Sequence, residues 1–170
     1  MGAHRLCDLT AGTCETCPVR VSAKVDYAVR ALAELAAAAG KGPVKGEVIA
    51  AAQDIPLKFT ENILSDLRRA GIVASQRGAV GGYWLSVPAD TVSVADVIRL
   101  VEGALADVRG EPPEEVEYHG AATALQDVWI ATRATLRSVL EGVTIADIAG
   151  GHLPEVVESL AGDPDARSRR

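Results

Sequence analysis

The apolar residues of the first half recur with a helical beat. Val25, Ala28, Val29, Leu32, Leu35 and Ala36 fall at i, i+3 and i+4 spacing, which predicts a long amphipathic helix over Ser22–Ala39. Gly40 and Gly42-Pro43 end it. A shorter helix is expected over Lys45–Gln53 with Val48, Ile49 and Ala52 inward, and a third from Leu57 to Ala70. The third carries a stripe of Phe59, Ile63, Leu64 and Leu67, with Lys58, Thr60, Glu61, Asn62, Ser65 and Arg69 facing elsewhere. Between the last two stand Asp54-Ile55-Pro56, with a proline suited to open a helix. Gly71 closes the third helix, and Arg68 and Arg69 sit in its favourable last turn.

The period then changes. Ile72-Val73-Ala74-Ser75 and Tyr83-Trp84-Leu85-Ser86 flank a glycine-rich turn, so this segment predicts a β-hairpin. Gly78, Gly81 and Gly82 permit positive φ or close approach to another backbone. A phosphate loop would need such glycines to open a helix ahead of a Lys-Ser/Thr pair, and here a strand follows instead. Beyond the hairpin, Ser93–Glu102 predicts a short helix with Val94, Val97, Ile98 and Val101 inward. A loop spans Gly103–Gly120, and a long helix is expected over Ala121–Glu141. In that helix Leu125, Val128, Trp129, Thr132, Leu136, Val139 and Leu140 form a seam near 3.5 spacing, suited to a partner helix. Packing within its own chain is the alternative for the same residues. Gly142 breaks the helix, Thr144–Ala149 makes a further turn or two, and DPDARSRR reads as a frayed tail.

Helix, three-residue turn and polar-faced helix is the helix-turn-helix arrangement, whose second helix enters a major groove. A hairpin directly after it makes a wing, and Arg77 at its tip suits a narrow minor groove. The plainer alternatives are a three-helix bundle with solvated charges and a surface arginine beside a turn.

Charge at first argues against nucleic acid, because the 170-residue chain carries a net −6. The acidity is segregated, however. Residues 1–87 hold ten Lys/Arg against eight Asp/Glu, and residues 88–170 hold seven against fifteen. DNA attraction depends on the local patch rather than the total. No apolar run reaches membrane-spanning length and no secretory leader is visible, so a cytoplasmic protein is expected. Three histidines, His4, His119 and His152, have no nucleophile at motif spacing, so an enzyme is not expected.

All three cysteines, Cys7, Cys14 and Cys17, precede the first helix. Cys14-Glu15-Thr16-Cys17 with Cys7 and His4 could supply four zinc ligands or a redox pair. Residues 1–18 are instead expected to be a disordered or non-native extension, with Val19 as the start, and no metal site is assigned.

The segments YAVRALAELA, EVIAAAQDIPLKFTENILSDLRRAGIVASQRGAVGGYWLS and VSVADVIRLVEG resemble the Rrf-two (Rrf2) family of bacterial winged helix-turn-helix regulators, over roughly Val19 to Ala149. The R-G-x-x-G-G-Y-x-L wing is the most specific part. The resemblance implies a mainly α fold with a small β-hairpin wing, joined to a long dimerisation helix. It implies a homodimer that binds a palindromic operator in double-stranded DNA. It places Lys58, Thr60, Glu61 and Asn62, with Phe59 among them, at the recognition helix. Arg77, with Gly78, Gly81, Gly82 and Tyr83 of the wing, falls at the minor groove, and Lys24 and Tyr27 at the DNA backbone. The expected domains are residues 19–88 for DNA binding, 89–150 for effector response and dimerisation, and 151–170 as tail.

Some members of that family hold an iron–sulfur cluster on three cysteines in the loop matching residues 103–120. This loop has Glu114, Glu115, Glu117 and His119 but no cysteine, a poor donor set for a cluster. A cluster-free regulator without cofactor is therefore expected, resembling the branch that represses cysteine metabolism. A regulatory protein or small-molecule effector is left open as a further partner. The competing reading is a dimeric winged-helix module that binds a partner enzyme rather than DNA.

Overall fold

The computed structural model describes residues 21–167. The extension with Cys7, Cys14 and Cys17, and the last three residues, lie outside this range. Helix α1 (Ala23–Ala37) begins where the Ser22 hydroxyl accepts from the Val25 N–H at 3.2 Å. Of the expected face Val25, Ala28, Leu32 and Leu35 are buried, joined by Ala31, while Val29 and Ala36 are only partly covered. Helices α2 (Gly46–Gln53) and α3 (Leu57–Arg69) pack on it and on each other.

Strands β1 (Val73–Gln76) and β2 (Gly82–Leu85) form one antiparallel pair, in the register Val73↔Leu85 and Gln76↔Gly82. Helix α4 (Val94–Glu102) follows, then a loop containing a 3₁₀ turn at Pro113–Glu115. Helix α5 (Leu125–Leu140) is preceded by a further 3₁₀ turn, Gly120–Ala122, so it starts later than its pattern suggests. Helices α6 (Ile145–Gly150) and α7 (Glu155–Gly162) complete the chain, with a 3₁₀ turn at Pro164–Arg167. Helix α7 thus lies in the stretch expected as a tail, while of the part expected to fray, residues 163–170, Pro164–Arg167 makes a 3₁₀ turn.

One core unites these parts. Ala28, Leu32, Ile49, Ile63, Leu64, Leu67 and Val73 share it with Val92, Val97 and Ile145, so the packing of the winged module runs on into α4 and α6. A bridge between Ser93 and Thr144 joins the starts of α4 and α6. On either side of it, the Val94 N–H donates to Val143 O and the Ile145 N–H to Val92 O, both at 2.9 Å. Each start carries a capping box, Ser93 with Asp96 and Thr144 with Asp147.

Three expectations about facing change. In α2 the buried pair is Ile49 and Ala50, while Val48 is 55% exposed and Ala52 is exposed. A two-turn helix wedged between α1 and α3 buries one narrow strip, too narrow for all three. In α3 Thr60 is buried and Phe59 is 56% exposed, the reverse of the stripe read from hydrophobicity. The helical period itself explains this, since Thr60, Ile63, Leu64 and Leu67 lie at i, i+3, i+4 and i+7. In α4 the small Ala95 is buried with Val97 and Ile98, and Val94 is only partly covered.

Candidate nucleic-acid interface

The turn that presents α3 is set by backbone chemistry. Asp54 caps α2 in the left-handed region at φ 51, a conformation aspartate tolerates better than most residues. Ile55 then inserts into the core, its N–H bonded to Ala50 O at 2.9 Å, and Pro56 opens α3. The Thr60 hydroxyl donates to Pro56 O at 3.4 Å, so this side chain belongs to the turn rather than to the outer face.

Arg30 of α1 holds the same turn from behind. Its guanidinium donates to Gln53 Oε1 at 3.0 Å and also to the Gln53 carbonyl at the end of α2, where cations are favoured. Gln53 in turn donates to Glu34 at 2.5 Å, and Arg30 pairs with Asp26 at 3.1 Å and lies over the Tyr27 ring at 5.6 Å. Sequence reasoning missed this clamp. Its visible trace was Asp26 and Arg30 at i, i+4, which says nothing of Gln53, 23 positions on.

Lys58, Phe59, Glu61 and Asn62 on the first turns of α3 are exposed, so four of the five expected recognition residues share its outer surface. Phe59 meets Tyr27 edge-on, with ring centroids 6.4 Å apart, which joins α3 to the start of α1. Lys24 is not a free cation. It pairs with Asp66 of α3 at 2.9 Å, and Arg69 pairs with the same carboxylate. The hydrogen bond from Lys24, then that from Arg69, holds the Asp66 carboxyl below the ordinary aspartate range. These groups border a cleft of about 530 Å³ with Tyr27, Phe59 and Asn62.

The wing stands on close backbone packing. Val44 and Tyr83 exchange N–H···O bonds at 2.9 and 2.8 Å, pinning β2 to the segment between α1 and α2. A Cβ on Gly82 would lie 2.6 Å from Val44 O, and one on Gly81 only 2.2 Å from Gln76 O. Of the three wing glycines only Gly78 uses positive φ, at +112°. The Gly81 N–H to Gly78 O bond at 3.0 Å closes the tip, and Arg77 stands exposed there beside Val80, which is 83% exposed. Val80 escaped notice because a lone valine among glycines carries no periodic signal. The Arg68 guanidinium reaches Ser75 Oγ at 3.3 Å and ties α3 to the wing.

Helix α5 has no buried residue in the single chain. Val128 and Trp129 are 52% and 37% exposed, whereas Leu125, Thr132, Leu136, Val139 and Leu140 are partly covered. The expected seam therefore splits between an inner side against the rest of the chain and an outer side open to a partner. The loop before it is less solvated than its glutamates suggest. Pro113 and Val116 are buried, and the Gln126 amide donates to the carbonyls of Pro113, Glu114 and Val116 at 3.0–3.3 Å. Glu114 pairs with Arg133.

A family model described as "Rrf2: Iron-dependent Transcriptional regulator" matches residues 21–151. A candidate HTH-type transcriptional regulator of Mycobacterium tuberculosis is 51% identical over 145 residues, covering 85% of this chain and 90% of that one. Among solved structures, CymR of Bacillus subtilis, described as its global cysteine regulator, superposes with a TM-score of 0.68. It is 33% identical and covers 78% of this chain and 97% of its own. The IscR of T. potens gives 0.62 at 28% identity, covering 89% and 93%. Iron finds no fitting donors among the described residues. They contain no cysteine and no group of three or more His, Asp or Glu able to hold a metal, and Glu114 is taken by Arg133.

Proposed function

The chain belongs to the Rrf2 family of bacterial transcriptional regulators, and from that premise we propose that it binds double-stranded DNA as a homodimer on a palindromic operator and represses the adjacent genes. Its outward α3 residues enter the major groove. Glu61 accepts from cytosine, Asn62 pairs with an adjacent base edge, and Lys58 reaches a base or phosphate. Arg77 enters the minor groove, where a narrow A·T-rich stretch concentrates negative potential. Lys24 and Tyr27 meet the DNA backbone, Lys24 exchanging Asp66 for a phosphate. Thr60, being buried, contributes to the turn and not to the bases. The action is binding rather than catalysis, in the cytoplasm, and no described helix is long and apolar enough to cross a membrane.

The observation that carries this reading is the exposed Lys58, Glu61 and Asn62 on a helix braced at its turn by Arg30 and tied to a wing with Arg77 at its tip. The test is binding to a randomised operator library at two salt concentrations. Arg77→Ala should cost roughly 1–3 kcal/mol and weaken the preference for A·T-rich flanks, and Glu61→Ala should relax base choice within the half-site. Lys24→Ala should weaken all sequences nearly evenly and flatten the salt dependence by about one unit of slope. Unchanged binding by Arg77→Ala together with unchanged preference by Glu61→Ala rejects DNA contact by either element.

A further inference from the structure

We propose that the cleft between the end of α4 and the face of α5 binds a small multivalent anion, a molecule bearing two or more carboxylate or phosphoryl oxygens. The cleft has a volume of about 380 Å³ and is lined by Arg99, Gly103, Ala104, Leu105, Arg133 and Arg137. Three arginines thus line one small concavity, and the carboxylates they pair with, Asp96, Glu114 and Glu141, are not among its lining residues. An ordinary solvated helix face would scatter such charges along one element. Here they come from two, Arg99 on α4 and the other pair one turn apart on α5. Gly103, at φ +97, turns the chain sharply between them and sends Ala104 and Leu105 along the rim.

The arginines are held in place. Arg99 bonds Asp96 at 3.2 Å and also Glu141, Arg137 donates through Nε to Glu141 at 3.2 Å, and Arg133 pairs with Glu114. Each guanidinium carries five N–H donors in a rigid fork. These pairs use two of Arg99's donors and one each of Arg133's and Arg137's, which leaves the remainder to a ligand. Holding the forks in advance lowers the cost of ordering them on binding. Arg133 is the most enclosed of the three, its side chain only 18% exposed, so its attraction for an anion is screened less by salt than at an open surface.

The position gives occupancy a consequence, which rests on the regulator reading. Arg99 sits on α4, whose Val97 lies in the core with α1, while Arg133 and Arg137 belong to α5. An anion spanning them strengthens the link between the DNA-binding module and the long helix. It also competes with Glu114 for Arg133, and Glu114 belongs to the loop that Gln126 holds against α5.

The test uses the full chain without DNA, so its failure leaves the operator-binding reading untouched. Succinate and inorganic phosphate are titrated separately in a calorimeter at constant ionic strength. Saturable binding of at least one, near one per chain, is expected, and the stronger of the two identifies the chemistry. Arg133→Gln and Arg137→Gln should each weaken it on the order of tenfold, as loss of a charge-assisted hydrogen bond does. Glu114→Gln should strengthen it several-fold by removing the competing carboxylate, an outcome that misfolding cannot imitate. Arg77→Gln on the wing should leave it unchanged. No saturable heat from either anion overturns the proposal, as does binding indifferent to both arginine substitutions or abolished by Arg77→Gln.

Discussion

At Gly82 a single missing Cβ decides how the wing is mounted. The atom would press against the Val44 carbonyl at 2.6 Å, and against Pro43 C at 3.0 Å, both of them backbone. Gly82→Ala should therefore part the Val44–Tyr83 pair and cost roughly 1–3 kcal/mol as overpacking does. Gly78→Ala meets nothing within 4 Å and bears only the strain of its φ of +112°. Thermal melts compare them: Gly82→Ala should lose the more stability, and operator affinity with it, whereas Gly78→Ala should lose less, its cost being only that of a side chain at φ +112°. Equal, small effects at both positions would show that the close approach is unimportant. The sequence marked both glycines but could not separate their roles, because the partner atom at Gly82 lies 38 positions back in the chain. The same blindness exchanged Phe59 and Thr60. Hydrophobicity ranks phenylalanine inward, yet helical phase aligns the threonine with Ile63 and Leu67.

Among the elements, α4 and α6 share one device, a hydroxyl and a carboxylate that cap each other's backbone. The hydrogen bonds from Ser93 and Thr144 lower the pKa of Asp96 and Asp147 respectively. A depressed carboxylate stabilises the fold above its unfolded value near 3.8 and loses that contribution as pH falls through the lower folded value. Thr144→Ala should destabilise the fold at neutral pH, as loss of an N-cap does. Its deficit should narrow below about pH 4, where unfolded aspartate becomes protonated. Denaturant titrations at pH 7 and pH 3 give the comparison, and a deficit that stays constant would rule out the ionised cap as its source. These helix starts were read from apolar spacing and from the break at Gly142, and the capping pairs, each within one turn, account for where they fall. Helix α7 was not legible, since Glu155–Gly162 buries no residue and its amphipathic pattern is only two turns long.

For the whole molecule, the exposed Val128 and Trp129 on a helix with nothing buried are where the proposed dimer would pair, and the proposed palindromic operator would need its two recognition helices. Trp129→Asp should give monomers in sedimentation, or insoluble protein, and abolish operator binding; a stable wild-type monomer that still binds tightly would refute the dimer. Pattern alone revealed α5 and its apolar seam, though not its start, which a 3₁₀ turn delays to Leu125. It could not tell which side of that seam the chain covers for itself, because the covering loop owes its position to Gln126 and Arg133 rather than to any periodic signal. The bridge between Ser93 and Thr144 has a further consequence, for the order in which the protein is made. The wing and all three helices of its module leave the ribosome before α6 exists, yet Ile145 is fully buried in the core they share. A nascent chain stalled ahead of residue 145 should therefore expose an apolar face of α1 and remain open to proteases. Protection should come late and abruptly, once the returning segment docks beside Val92 and closes the neck of the long excursion.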